Sequence, residues 1–87
     1  MEFRFEIMKD GGARLLKADG EDKVVSVPDV WENHPVTVIG EYAFYEQRDM
    51  TRIHLPESLK TIGDHAFAEC RFLEQIEFPE GMERIDD

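Results

Sequence analysis

Val38-Ile39-Gly40-Glu41-Tyr42-Ala43-Phe44 returns further along the chain as Thr61-Ile62-Gly63-Asp64-His65-Ala66-Phe67, with Ile39 and Ile62 standing 23 positions apart. The interval is not confined to that run. Ile53-His54-Leu55-Pro56 returns as Ile76-Glu77-Phe78-Pro79, Met50 as Leu73, Leu59 as Met82 and Ile62 as Ile85, all at 23. Independent landmarks sharing one period identify a stack of like units. An earlier copy opens at Val25-Ser26-Val27-Pro28, after which five extra residues intervene before Ile39, within the segment Asp29 to Val36. That insertion carries Trp31 and Asn33-His34-Pro35.

Each unit has a physical plan. Apolar and polar residues alternate in Thr51-Arg52-Ile53-His54-Leu55, as in a strand with one buried face. Pro56 follows and stops the ladder, because it has no N–H to donate. The segment Glu57 to Ile62 is a short traverse that turns Leu59 and Ile62 inwards. Gly63 permits a tight corner, and Asp64 is placed to cap a single helical turn over His65 to Cys70. Ala66 allows close approach of neighbouring units, and Phe67 fills the space between them. No unit buries its apolar face alone, so the units must stack, with equivalent strands side by side in a parallel sheet.

Ahead of the units, Phe3, Phe5 and Ile7 alternate with charged residues, Asp10-Gly11-Gly12 signals a turn, and Ala13 to Lys17 forms a return strand. Asp19-Gly20-Glu21-Asp22 turns the chain into Lys23 to Val27. Residues 1–22 are expected to form a hairpin cap over the first coil, since the terminal units of a stack need a cover.

The run Ile62-Gly63-Asp64-His65-Ala66-Phe67-Ala68-Glu69-Cys70, followed by Leu73, Ile76, Phe78 and Pro79, resembles the BspA-type leucine-rich repeat, whose units are near 23 residues. The resemblance extends from Val24 to Asp87. Two positions depart from it: Gln47 stands where the next unit has Cys70, and Asp86 stands where glycine is expected. The resemblance implies a right-handed solenoid used for binding, often on bacterial surfaces and often within a longer protein, and it brings no catalytic motif. The expected fold is therefore α/β and β-rich. It is a single domain over 1–87, a leucine-rich-repeat solenoid with parallel strands and single helical turns, with a 1–22 hairpin cap and about two and a half repeats over 23–87.

Charge narrows the partners. The 87 residues hold 10 Lys and Arg against 20 Asp and Glu, a net charge of −10. That field repels nucleic acid and anionic lipid, and it biases the surface towards basic or neutral partners. The apolar runs are too short for a membrane-spanning helix. One cysteine, Cys70, excludes an intrachain disulfide and a zinc site built from several thiolates.

Candidate chemical groups are few. His65 and Glu69, four apart, can share a helix face as two metal ligands, but no third ligand accompanies them, and His34, His54 and His65 are read as exposed. No metal and no cofactor is expected. Glu69 opposes thiolate formation at Cys70 and Arg71 favours it, and the repeat plan makes Cys70 a buried structural thiol. Gly11-Gly12 is an isolated turn, not a phosphate loop. Trp31 either anchors a partner or folds back over the core.

The expected function is a non-enzymatic protein-interaction module of a surface or adhesive protein; the alternative is an intracellular assembly protein acting as a homo-oligomer. Period-2 alternation places Val24, Arg52 and Gln75 in one outward row and Ser26, His54 and Glu77 in another, which makes Arg52, His54, Gln75 and Glu77 the expected binding residues, with Trp31 beside them. The last unit supplies Ile76, Phe78, Met82 and Ile85 but ends before its aromatic. Its uncovered layer is expected to self-associate as a two-fold dimer through Phe78, Met82 and Ile85, or to continue into a longer array. Surface or secreted placement follows if the chain is part of a longer exported protein, and cytoplasmic placement if Met1 is the native start.

Overall fold

Nine short strands wind through the computed structural model, which describes residues 1–80, Met82 and the backbone of Arg84 and Ile85. They are β1 (Glu2–Ile7), β2 (Ala13–Asp19), β3 (Val24–Ser26), β4 (Val30–Trp31), β5 (His34–Ile39), β6 (Arg52–His54), β7 (Thr61–Ile62), β8 (Gln75–Glu77) and β9 (Arg84–Ile85). Two sheets result. One is the parallel stack β3-β6-β8, and the other runs β1-β2-β5-β7-β9 with β4 paired to β5.

The 23-residue period becomes register. Val25 pairs with Ile53 and Ile53 with Ile76, with Ser26–His54–Glu77 and Val24–Arg52–Gln75 to either side. Val25 and Ile53 are buried and Ile76 is half-buried, while the residues flanking them face outwards. Alternation in the sequence thus becomes the two faces of a sheet.

The traverse departs from expectation in being a strand. Val38 pairs with Thr61 and Thr61 with Arg84, while Ile39 pairs with Ile62 and Ile62 with Ile85. The N-terminal strands form an antiparallel hairpin with a register shift between Arg4 and Phe5, and β2 then runs parallel to β5, with Leu15 opposite Ile39. The insertion is a second hairpin, pairing Val30 with Pro35 and Trp31 with His34. Its two loop residues, Glu32 (φ 47°) and Asn33 (φ 68°), are both left-handed, as tight two-residue hairpin loops require.

The expected helical turn over His65 to Cys70 does not form, and no helix occurs among the described residues. The backbone instead alternates its donors. The N–H groups of Ala43, Tyr45 and Gln47 reach back three residues to Gly40, Tyr42 and Phe44, whereas those of Tyr42, Phe44 and Glu46 reach Asp64, Ala66 and Ala68 of the next coil at 3.3, 2.8 and 2.9 Å. A helix turns its interior N–H groups onto its own carbonyls. Here every second donor is spent between coils, and left-handed Tyr42, Glu46, His65 and Glu69 turn the chain to allow it. The fold is β-rich, with consecutive turns where helical turns were expected.

Gly40 and Gly63 serve the corner by close packing. Neither is left-handed. A Cβ on Gly40 would lie 2.8 Å from the Leu15 carbonyl oxygen, and one on Gly63 would lie 3.0 Å from the Glu41 nitrogen. Glycine is required because adjacent coils touch there, as their hydrogen bonds show: Gly40 N–H to Leu15 O at 2.8 Å and Gly63 N–H to Ile39 O at 2.7 Å. Asp86, the third position in that series, lies outside the described residues.

The core is one cluster running through the stack, with Leu15, Val25, Val36, Ile39, Phe44, Met50, Ile53 and Leu59 among its buried side chains. Phe44 and Phe67 stack with ring centroids 5.3 Å apart and planes 14° apart. Phe44 is fully buried, but Phe67 is only half-buried, because its outer face meets no further coil among the described residues.

Candidate functional site

The two outward rows expected from the alternation stand on the β3-β6-β8 sheet. Val24, Arg52 and Gln75 are all exposed, and Ser26, His54 and Glu77 line the second row. His54 Nδ1 lies 2.8 Å from a Glu77 carboxylate oxygen, with both side chains nearly half exposed. The backbone sets this pair: one coil spacing puts equivalent side chains side by side.

Trp31 does not join that surface. It lies on β4 in the insertion hairpin, stacked on Phe5 at 5.3 Å and packed against the core. His34 serves the same region, donating from Nδ1 to the Gly11 carbonyl at 2.8 Å and so tying the insertion to the first hairpin. Asp29 anchors the other end, accepting Glu57 N–H on its carboxylate at 2.9 Å and the Ser58 hydroxyl on its carbonyl at 3.0 Å.

Cys70 is half-buried rather than buried. Its Sγ lies 2.9 Å from the Phe44 carbonyl oxygen of the preceding coil. Burial pushes its thiol pKa up, opposed by a hydrogen bond from the Gln47 backbone and by the charge of Lys17. Gln47, at the equivalent place one coil earlier, donates from Nε2 to the Ala18 carbonyl at 2.7 Å. The two residues that depart from each other in sequence perform one task, bridging a coil to its predecessor.

His65 and Glu69 share no helix face. His65 stacks on Tyr42 at 5.1 Å with planes 8° apart, and Glu69 pairs with Arg71 at 3.2 Å. Among the described residues no three His, Cys, Asp or Glu side chains gather as metal ligands would. Phe78 and Phe72, at the last coil, are 50% and 63% exposed. Met82 is half-buried against the core, and the side chain of Ile85 lies outside the described residues.

Sequence reasoning missed a groove on the second sheet. About 570 Å³ in volume, it is lined by Arg14, Leu16, Val38, Ile39, Gly40, Glu41, Thr61, Gly63 and Asp64. Arg14, Val38 and Thr61 occupy one row through β2, β5 and β7. No alternation marked it, because the register shift between the Ala13–Val36 and Arg14–Val38 pairs puts buried Val36 and groove-lining Val38 on different faces; the row becomes legible only once the traverse is known to be a strand.

Residues 29–87 match the family described as BspA type leucine rich repeat region (6 copies). The chain belongs to that family. Among solved structures it is similar to the T. pallidum leucine rich repeat protein, with 32% identity and a TM-score of 0.92 over 95% of this chain and 39% of that one. It is also similar to a leucine-rich repeat protein from Bacteroides capillosus (29% identity, TM-score 0.81, 98% of this chain and 83% of that one). A third is a leucine rich cell surface protein from Faecalibacterium prausnitzii (25% identity, TM-score 0.83, 95% and 24%). The chain thus spans about two-fifths of the treponemal protein and a quarter of the Faecalibacterium one. No curated protein matches. A BspA-type unit here is a coil with two strand positions and a corner of consecutive turns.

Proposed function

We propose that this chain is a non-enzymatic protein-interaction module. In this reading it is one right-handed solenoid domain, capped by the hairpin within residues 1–22, whose β3-β6-β8 sheet meets a protein partner. The observation that carries the reading is the register that buries Val25 and Ile53 while setting Arg52, Gln75, His54 and Glu77 in two outward rows. Family membership supports a binding role. Placement on a bacterial surface, in an adhesive protein, is supported by the name of the Faecalibacterium relative.

The test is affinity capture from the native cell followed by titration of the purified captured protein. Arg52→Ala combined with Glu77→Ala is expected to weaken that titration without lowering the melting temperature. A partner whose affinity is unchanged by both substitutions overturns the assignment of this face.

A second reading is favoured by the exposed Phe72 and Phe78 at the last coil: self-association as a two-fold dimer, in an assembly role. β8 has no partner on its outer side among the described residues, and an open strand edge favours such pairing.

A further inference from the structure

We propose that the groove between β2, β5 and β7 docks an extended, basic segment of a partner protein, with a Lys or Arg on Glu41 and Asp64 and an apolar side chain on Leu16 and Val38. The inference rests on the protein-interaction reading but assigns a different face from the β3-β6-β8 rows. Leu16, exposed, and Val38, half-buried, supply its apolar side chains beside Gly40 and Gly63, while the Ile39 side chain is buried in the core beneath. At both glycines the coils touch, so no side chain projects there: a Cβ on Gly40 would meet the Leu15 carbonyl oxygen at 2.8 Å and one on Gly63 the Glu41 nitrogen at 3.0 Å.

The charge is arranged unequally. Glu6, Glu46 and Glu69 hold Arg14, Arg48 and Arg71 at 3.2, 3.3 and 3.2 Å. Glu41 and Asp64 line the groove with no ion-pair partner among the described residues. They are one repeat apart, and the Tyr42 N–H to Asp64 carbonyl bond at 3.3 Å holds their two coils together. Two like charges one coil apart on the same groove repel, and a cation bound there relieves that repulsion. Arg14 also lines the groove, with its charge paired to Glu6 at 3.2 Å. A basic side chain is therefore drawn to one end of the groove, and the net charge of −10 adds a general attraction for such a segment.

The experiment is fluorescence anisotropy of the full chain with three labelled hexapeptides: alternating lysine–valine, alternating lysine–serine and alternating glutamate–valine. The lysine–valine peptide is expected to bind tightest. Glu41→Gln with Asp64→Asn should weaken it about tenfold, as loss of a complementary charge pair does, and Leu16→Ser should weaken it while leaving lysine–serine unchanged. Glu2→Gln with Glu21→Gln removes the same charge elsewhere, and circular dichroism checks that each variant is folded. Equal weakening by that control pair, or equal binding of the lysine–serine peptide, overturns the proposal by reducing it to a diffuse field effect. Absence of lysine–valine binding overturns it too. None of these results touches the partner titration with Arg52→Ala and Glu77→Ala, which judges the interaction reading separately.

Discussion

Phe44 and Phe67 occupy one place in successive units, but Phe44 is fully buried and Phe67 half-buried. Truncating a fully enclosed aromatic costs about 3–5 kcal/mol, through lost transfer energy and the cavity left behind. Phe44→Ala is expected to fall in that range, a large share of the roughly 5–15 kcal/mol that holds a domain together. Phe67→Ala should cost clearly less, and urea unfolding of both variants measures the difference. Equal costs would mean that Phe67 is covered in solution. Cys70 gives a pH-dependent case. Burial raises its folded pKa above the unfolded one, so the folded state holds the proton more tightly. Its contribution is fully present below the unfolded pKa and is lost as pH rises through the folded one. The stability gap between parent and Cys70→Ala should therefore narrow from neutral to strongly alkaline pH. A gap that widens over that range contradicts the assigned direction.

At the scale of the element, the corner from Gly40 to Gln47 shows why a strong local signal failed. Asp64 before His65-Ala66-Phe67 has the form of a helix cap and first turn, but a helix would keep its N–H groups to itself. The stack uses half of them, from Tyr42, Phe44 and Glu46, to hold the next coil. This alternative makes a prediction of opposite sign. Glycine in a helix destabilises by about 0.5–1 kcal/mol relative to alanine, whereas a left-handed non-glycine residue costs roughly 1–2 kcal/mol that glycine relieves. Glu69, at φ 60°, is exposed and its pairing with Arg71 is a surface one of small worth. Glu69→Gly should raise the melting temperature by a few degrees, given about 4–8 °C per kcal/mol for a domain of this size. A fall in melting temperature would restore the helical description. Gly40→Ala is expected to do the reverse: its new methyl would meet the Leu15 carbonyl at 2.8 Å and force the coils apart.

Across the whole molecule, the stack is held at several stations around each coil. Thr51 N–H to Lys23 O at 2.7 Å, Leu55 N–H to Glu77 O at 3.2 Å, Gly63 N–H to Ile39 O at 2.7 Å and Phe44 N–H to Ala66 O at 2.8 Å are the same kind of bond at different corners. The dimer reading predicts a sedimentation coefficient that rises with concentration and returns to the monomer value in Phe78→Glu. A parent chain that stays monomeric at high concentration removes that reading.

The sequence by itself determined the period, the register and the inward-facing set, because each follows from spacing. Ile53 and Ile76, 23 apart, must become neighbours once like units stack, and alternation then sends Arg52, His54, Gln75 and Glu77 outwards. It also carried the family, since Ile62-Gly63 through Pro79 matches in order. Tertiary structure decided what depends on contact between coils. The traverse became a strand because the backbone of Thr61 and Ile62 found Val38 and Ile39 beside it. Gly40 and Gly63 proved to serve close approach between coils, and Gln47 and Cys70 proved equivalent, because each side chain reaches a carbonyl of the preceding coil. The groove with Glu41 and Asp64 on its rim belongs to the same class. Spacing along a chain fixes which residues can be neighbours, but the partners of a backbone N–H and the depth of a surface exist only after the coils have closed on one another.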